Sequence, residues 1–326
     1  MATPQYLSLK TAILSDIKKT GGWVNCHAHI DRAYTLSPKN FGYTKATLQE
    51  KWDLNDSIKR NSTVNQIYDR MAFAVEEMLK QNVTTLGTFI DIDEVIKDKS
   101  INAAVKLREK YKKDITIKFI NQSHKGVLDK KAFYWFRLGS EFVDIIGGLP
   151  EKDKGHEKEH IEILFDTAKK LNKMVHVHID QFNSPLQKDT ELLCDLIIKR
   201  GLIGKVAGIH GLSLSAQPIK YRKKVYEKMK KAQYIQVVCP SAWIDSRRTE
   251  ELAVTHNSIA PVEELVSEKI TVALGTDNIY DIYKPFSDGD MWTELRFLLE
   301  SCHFYDQKEL VKISTANGRR ALGLSR

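Results

Sequence analysis

Short apolar runs alternate with longer amphipathic segments along most of the chain. Two of the longer segments, 62–82 and 157–173, repeat apolar side chains every three or four positions, which is typical of helices packed against a sheet. The apolar runs have the length of buried strands and are VNCHAH (24–29), VTTLGTFID (83–91), ITIKFINQ (115–122), VDIIGGLP (143–150), MVHVHID (174–180), VAGIHG (206–211), YIQVVCP (234–240) and TVALGTD (271–277). Eight buried strands separated by helices predict a parallel sheet of the α/β class, closed into a (β/α)₈ TIM-type barrel.

The segment 31–61 interrupts this alternation. It is too long for a tight turn, and we predict a long loop after the first strand that helps to build a site at that end of the barrel. Barrels of this kind reach roughly 250 residues or more as one unit, and no linker or internal repeat divides the chain. We therefore predict one domain over residues 1–326.

Composition and charge restrict the class of protein. Apolar residues make up 42% of the chain and charged residues 28%, the balance of an ordinary soluble protein. The net charge is +8, but basic residues such as those of YRKKVYEKMKKA (221–232) are interleaved with apolar ones, which predicts solvated helix faces and no nucleic-acid partner. Signal-peptide and membrane-spanning patterns are lacking and the four cysteines stand singly, so we expect a cytoplasmic protein without a membrane partner.

Histidines and an aspartate lie on or near the ends of four of the predicted strands. Alternation along a strand directs His27 and His29 to the same face. An HxH pair alone is a weak signal, because two satisfied polar residues would look the same. His178, His210 and Asp277 also lie at carboxyl ends of strands, where barrel enzymes place their catalytic groups. Imidazole and carboxylate donors grouped in this way indicate a site for one divalent cation.

The motifs around these residues resemble those of the amidohydrolase superfamily, and most of all its cytosine deaminase branch and the triazine-hydrolysing relatives. The motifs are HAHID (27–31), VHID (177–180), GIHG (208–211) and LGTDN (274–278). The resemblance implies that His27, His29, His178 and Asp277 bind one metal ion. It also implies that His210 and Asp277 are catalytic, with His210 beside the attacking water. Zinc is the first expectation for the metal, with Fe²⁺ and Mg²⁺ as alternatives.

Two further positions bear on the reaction. Gln122 looks like the glutamine with which these enzymes bind an amide edge of the substrate. Gln181 stands where cytosine deaminases carry the glutamate of an HxxE motif, and an amide cannot transfer protons as that glutamate does. Gln181 is instead a candidate to bind the substrate. Asp180 is adjacent, but strand alternation directs it to the other side. No lysine lies on the fourth strand (143–150), where binuclear relatives carry a carboxylated lysine, so one metal is favoured over two.

These observations predict a hydrolase that cleaves a C–N bond of a small cyclic amide, lactam or aminoheterocycle. Departure of one nitrogen needs one proton, which Asp277 can deliver without the missing glutamate. Two alternatives stay open: a deaminase of a cytosine-like heterocycle, and a catalytically inactive barrel that binds a small molecule. Such enzymes usually carry a β-sandwich beside the barrel, but only 22 residues precede Trp23, so we expect it to be absent or vestigial. A homo-oligomer is one way to cover the barrel surface.

The remaining polar residues are weaker candidates. Arg32 is a candidate to bind a substrate carboxylate or carbonyl, with an ordinary salt bridge at the barrel mouth as the alternative. Trp243, Asp245 and Asn278 are candidates to line the substrate pocket. His176 shares a face with His178 but lies farther from the strand end, so we interpret it as a core histidine. The other histidines are interpreted as surface or structural residues: His124, His156, His160, His256 and His303.

Overall fold

A computed structural model describes residues 8–45, 48–244 and 256–324. Its eight named strands form one parallel sheet in chain order, and a parallel bridge between Ala28 and Asp277 joins the last strand to the first. The strands are β1 Trp23–Ala28, β2 Val83–Asp91, β3 Thr116–Gln122, β4 Ile145–Gly148, β5 Met174–Ile179, β6 Val206–His210, β7 Ile235–Val238 and β8 Thr271–Leu274. The predicted (β/α)₈ barrel is therefore confirmed.

Of the helices in the described residues, one precedes β1, and the others follow the strands and pack around the sheet. They are α1 Leu9–Lys19, α2 Leu48–Asn61, α3 Val64–Lys80, α4 Lys99–Tyr111, α5 Lys130–Phe142, α6 Glu157–Leu171, α7 Asp189–Arg200, α8 Ser213–Ala216, α9 Ile219–Ala232, α10 Pro240–Trp243, α11 Val262–Ser267, α12 Met291–Glu300, α13 Gln307–Ser314 and α14 Ala316–Ala321. Two 3₁₀ helices, Phe41–Lys45 and Pro150–Asp153, lie in loops after β1 and β4. Within the described ranges, no helix is both long and apolar enough to cross a bilayer.

The helix predicted over 62–82 shows how local sequence produces these elements. A capping box at Thr63 and Gln66 satisfies two backbone N–H groups at the start of α3. Its apolar face, which includes Ile67, Met71 and Val75, is buried against the sheet as the periodicity predicts. The basic helix α9 likewise buries only its apolar positions, and its lysines face outward.

The segment 31–61 contains more regular structure than a loop. The sequence LQEKWDLNDSIKRN has few apolar residues and forms α2. Tertiary contacts explain this helix better than apolar periodicity does, because Lys59 is buried and its Nζ lies 2.9 Å from Asp91 and 2.8 Å from Asp93. The position of α2 above the carboxyl ends of β1 and β2 brings Lys51 and Trp52 to the cavity described below.

Candidate active site

Five side chains from four strands meet at the carboxyl end of the barrel. His27 and His29 come from β1 and its end, His178 from β5, His210 from the end of β6, and Asp277 from the loop after β8. The ring of His27 lies 4.9 Å from those of His29 and His178 and 5.4 Å from that of His210, centroid to centroid. All five residues are buried. The structure thus brings together every residue that the sequence predicts for the metal and the catalytic pair.

The donor atoms of this cluster fit one divalent cation. Asp277 Oδ1 lies 3.2 Å from His27 Nε2 and 3.1 Å from His29 Nε2. Two donors that share a zinc ion, each roughly 2.0–2.2 Å from it, lie about 3–3.5 Å apart. His27, His178 and His210 offer a second set of ligand atoms within 4.8 Å of one another, and His210 Nε2 lies 4.0 Å from Asp277 Oδ2.

A backbone carbonyl orients His178. Its Nδ1 donates to the carbonyl oxygen of Gly148, 3.3 Å away, which leaves Nε2 without a proton and turned to the cluster. Histidines that bind metals usually donate their other ring N–H in this way, because the bond fixes both tautomer and ring orientation. His176, two residues earlier, donates its Nε2 to the carbonyl of Ala321 instead and belongs to the buried interior.

Burial sets the protonation of the cluster. Burial alone would raise the pKa of Asp277, but hydrogen bonds with His27 and His29 hold that pKa well below its ordinary value. The pKa values of His29 and His178 are lowered because burial disfavours their charged forms, and the pKa of His210 falls to about 3 for the same reason. The site therefore offers a carboxylate and neutral imidazoles, the forms that bind cations.

Two of the cluster residues have strained backbones. His210 has φ of 81° and Asp277 has φ of 60°, values that residues with a Cβ rarely adopt. Strain of this kind persists only where surrounding contacts enforce it, and it is common at functional sites. At Asp277, the backbone N–H donates to the carbonyl of His27, 2.9 Å away, which fixes the loop after β8 against β1.

Above the cluster lies a cavity of about 240 Å³, the size of a small molecule. Five of the six residues predicted to bind substrate or to line the pocket lie in its wall, together with His29, His178, His210 and Asp277. They are Arg32, Gln122, Gln181, Trp243 and Asn278. Asp245, the remaining candidate, lies outside the described residues.

Arg32 is engaged on several sides. Its Nη1 donates to Asp91 at 3.3 Å, to Gln122 Oε1 at 3.4 Å and to His124 Nε2 at 3.0 Å, and its Nε lies 3.6 Å from Asp281. These ion pairs match the salt-bridge interpretation of Arg32, although the residue also lines the cavity. The bond to Gln122 orients that amide, so Arg32 acts on the cavity through its neighbour.

Several residues of the cavity wall were not singled out from the sequence. Glu151 and Lys152 follow β4, Trp52 comes from α2, and Tyr283 lies in the loop after β8. His124, interpreted as a surface or structural residue, has a side chain that is 9% exposed, and it also lines the cavity. Position after a strand was the available signal for Glu151 and His124, since both lie where barrel enzymes collect functional groups.

The fourth strand ends in two glycines whose surroundings leave no space for a side chain. A side chain on Gly147 would place its Cβ 2.0 Å from the Asn121 carbonyl oxygen, and one on Gly148 would meet Leu164 at 2.2 Å. β4 therefore has no room at these positions for a bridging ligand. Phe89 of β2 lies against the histidines, with its ring centroid 4.5 Å from that of His178 and 5.0 Å from that of His27.

A parallel barrel with this cluster and cavity at its carboxyl end belongs to the class of barrel enzymes that build their active sites on that face. Residues 20–326 match the amidohydrolase family, and the chain belongs to that family. The predicted membership is therefore confirmed, and it supports a hydrolase that acts on C–N bonds.

Sequence and structural relatives match most of the chain. An uncharacterized protein of Haemophilus influenzae is 50% identical over 265 residues, which cover 80% of this chain and 96% of that protein. N-isopropylammelide isopropyl amidohydrolase of Pseudomonas sp. strain ADP is 22% identical over 319 residues, 94% of this chain and 75% of that protein. The structure of 5-methylcytosine deaminase from Klebsiella pneumoniae with phosphonocytosine has a TM-score of 0.85 at 21% identity, over 93% of this chain and 75% of that chain. This last likeness establishes the shared fold.

Proposed function

We propose that the protein is a mononuclear metal-dependent hydrolase that cleaves a C–N bond of a small cyclic amide, lactam or aminoheterocycle. The observation that carries the proposal is the convergence of four histidines and Asp277 beneath a cavity of about 240 Å³. We assign His27, His29, His178 and Asp277 as ligands and His210 as the partner of the attacking water. All eight strands surround this one site, which supports a single catalytic domain over residues 1–326.

Asp277 and His210 have different roles in the proposed reaction. A divalent cation, for which zinc is the first expectation, would lower the pKa of a water molecule towards neutrality and polarise the attacked bond. Asp277 is ionised and accepts a proton from the water. Neutral His210, whose ring lies 4.9 Å from that of Trp243, is placed to stabilise charge that develops on the attacked group. Asp277 then returns its proton to the leaving nitrogen.

The cavity wall supports a flat, polar ring as substrate. Gln122 presents an amide held by Arg32, which suits the donor and acceptor pattern of an amide edge. Trp243 offers an aromatic face, and its buried indole Nε1 has no hydrogen-bond partner among the described residues. Asn278 donates to Asp281 and is thereby fixed at the rim. The names of the relatives point to the same class of compounds, an alkylaminotriazine and an aminopyrimidine.

Metal content tests the proposal most directly. Elemental analysis of the purified wild type should give about one transition-metal equivalent per chain, and a His27→Ala, Asp277→Ala double variant should contain none. The metal-loaded wild type is then offered N-isopropylammelide and 5-methylcytosine, with detection of isopropylamine and ammonia. Amine release supports the hydrolase proposed here, whereas release of ammonia alone favours the deaminase alternative. A wild type that binds a ring compound but no metal and shows no turnover favours the inactive binding barrel.

A further inference from the structure

The cavity contains a second carboxyl group that the proposed mechanism does not use. Among the described residues that line it, the carboxylic acids are Asp277 and Glu151. Hydrolysis of an aminoheterocycle moves two protons to nitrogen, one to the ring nitrogen and one to the departing amine. Asp277 carries one proton at a time, so a second proton carrier is needed when the substrate contains a C=N bond.

Glu151 lies in the cavity wall and contacts Gln181, the residue that stands where the related motif has its glutamate. Glu151 belongs to the 3₁₀ helix Pro150–Asp153, which begins two residues after the end of β4. Gly148 of β4 is paired with Val177 of β5, so the loops that follow these two strands are neighbours. Across them, Gln181 Nε2 donates to Glu151 Oε2 at 3.1 Å. Because this hydrogen bond engages one carboxyl oxygen of Glu151, the other oxygen can carry the acidic proton.

The surroundings of Glu151 favour its protonated form. Burial raises its pKa above the ordinary value, and the neighbouring charges of Lys152 and Lys154 only partly oppose that effect. The other cationic residues on the cavity wall, Arg32 after β1, Lys51 of α2 and Lys284 of the loop after β8, come from different elements. Lys152 itself lies with its Nζ 2.8 Å from the centroid of the Trp52 ring, and burial lowers its pKa to about 7.

We propose that Glu151, held by the Gln181 amide, is the acid that exchanges a proton with the ring nitrogen of the substrate. This inference rests on the proposed function and assigns a residue to it. Sequence places an amide at 181, where the related motif has a proton-transferring glutamate, and the structure places a carboxyl 3.1 Å from that amide. The carboxyl group that position 181 lacks is therefore supplied from the end of the neighbouring strand.

The proposed step balances in atoms and charge. Water oxygen bonds to the ring carbon while one water proton passes to Asp277. The electron pair of the C=N bond moves to the ring nitrogen, which takes the proton of Glu151. The exocyclic C–N bond then breaks with its electron pair, and the leaving nitrogen takes the proton from Asp277. The new hydroxyl becomes a carbonyl and its proton returns to Glu151, so both acids regain their starting forms.

Carbon NMR of the metal-loaded protein tests the assignment without substrate. With glutamate labelled at the side-chain carboxyl carbon, the Glu151 resonance is the one that disappears in Glu151→Gln. We expect its titration midpoint above 4.5, the ordinary value for glutamate, and a shift of that midpoint in Gln181→Leu, which removes the amide donor. A midpoint at or below the ordinary value would overturn the proposal, whether or not the enzyme turns over any compound.

Kinetics test the role itself. On whichever of N-isopropylammelide and 5-methylcytosine the wild type hydrolyses, Glu151→Gln should lower kcat by about 10²- to 10⁴-fold and remove the alkaline limb of the pH profile that Glu151 sets. The exchange variant Glu151→Gln, Gln181→Glu should recover part of kcat, because the carboxyl moves by one hydrogen-bond length. Glu159→Gln, a change at an exposed glutamate of α6, is the matched control.

The outcomes distinguish a failure of the Glu151 assignment from a failure of the proposed function. If the wild type binds metal but hydrolyses neither compound, the proposed substrate class fails, and the NMR midpoint alone decides the state of Glu151. If the wild type is active and Glu151→Gln keeps both kcat and the alkaline limb, the assignment of Glu151 is wrong and the proposed function stands. Loss of the limb in Lys152→Met instead would identify Lys152 as the proton carrier and also overturn the proposal.

Discussion

Replacing Asp277 with asparagine removes a charge from the cluster while preserving the shape of the side chain. Asp277 Oδ1 lies within 3.2 Å of both His27 Nε2 and His29 Nε2, and the residue is 3% exposed. We expect the variant to fold but to lose most of the stabilisation that a metal ion gives the wild type. The quantity to compare is the metal-induced shift in Tm, because the substitution also changes the stability of the metal-free protein.

The magnitude follows from binding to the native state. A ligand that binds only the folded protein at about a hundred times its Kd stabilises it by about 2.7 kcal/mol. Loss of a group that merely orients a metal ligand typically weakens metal affinity by about 10- to 100-fold, and Asp277 contacts the metal directly in our assignment. A loss of about 100-fold leaves roughly 0.4 kcal/mol, so about 2 kcal/mol of metal-dependent stability is lost. For a domain of this length that corresponds to a Tm difference on the order of 4 °C.

Thermal melts of chelator-treated and zinc-reconstituted protein measure this difference. Asp288→Asn is the control, since Asp288 is exposed and lies in the same loop as Asp281 and Tyr283. The control should respond to zinc as the wild type does. Equal zinc shifts in wild type and Asp277→Asn would refute the assignment of Asp277 as a ligand. A wild type whose Tm does not respond to zinc, Fe²⁺ or Mg²⁺ would refute the metal site altogether.

Three other residues give predictions about the cavity and the charges behind it. Lys59→Met removes the buried cation that Asp91 and Asp93 share, so we expect the free energy of unfolding in urea to fall by about 3–5 kcal/mol, and a loss below about 1 kcal/mol would contradict this. Burial lowers the pKa of His124 from 6.5 to about 4, so below pH 6.5 the unfolded chain takes up a proton that the folded protein does not. The free energy of unfolding should therefore fall by about 1.4 kcal/mol for each unit by which the pH is lowered from 6.5 towards about 4. His124→Gln, which still offers an acceptor to Arg32, should weaken this pH dependence. Parallel stability curves for the wild type and the variant would disprove the role of His124. Gln122→Leu should lower kcat/KM by about 10- to 100-fold through an unpaired amide edge of the substrate, with metal content unchanged, and a variant with wild-type kcat/KM would exclude Gln122 from binding.

The barrel could be predicted because its strands are defined by local pattern. β2 coincides with the predicted run 83–91, and β5 ends within one residue of its prediction. β8 ends at Leu274, before the end of the run 271–277, and Asp277, which has a positive φ, forms only an isolated parallel bridge with Ala28. The same bridge brings Asp277 to the histidines of β1. The predicted strand was therefore too long at its carboxyl end, over the segment 275–277 that contains Asp277.

The buried charges behind the cavity could not be predicted in the same way. Arg32, Lys59 and Asp91 come from three separate parts of the chain and meet only because α2 packs over the strand ends. Nothing in the local pattern of 48–61 indicates that one of its lysines is buried. Such pairs depend on tertiary packing, and a charged residue in a polar segment looks the same whether it is solvated or neutralised inside the fold.

Gln181 shows why a motif compared position by position can be correct and still mislead. The motif correctly indicates that no carboxyl follows β5 at that position, from which loss of proton transfer is the natural conclusion. In a parallel barrel, however, the residue that follows one strand is as close to the residues that follow its neighbours as to its own chain segment. Glu151, 30 positions away in sequence, lies within hydrogen-bond distance of Gln181. The reactive side chains at the carboxyl end of a barrel therefore come from several adjacent strands. A group that is missing after one strand should first be sought after the neighbouring strands.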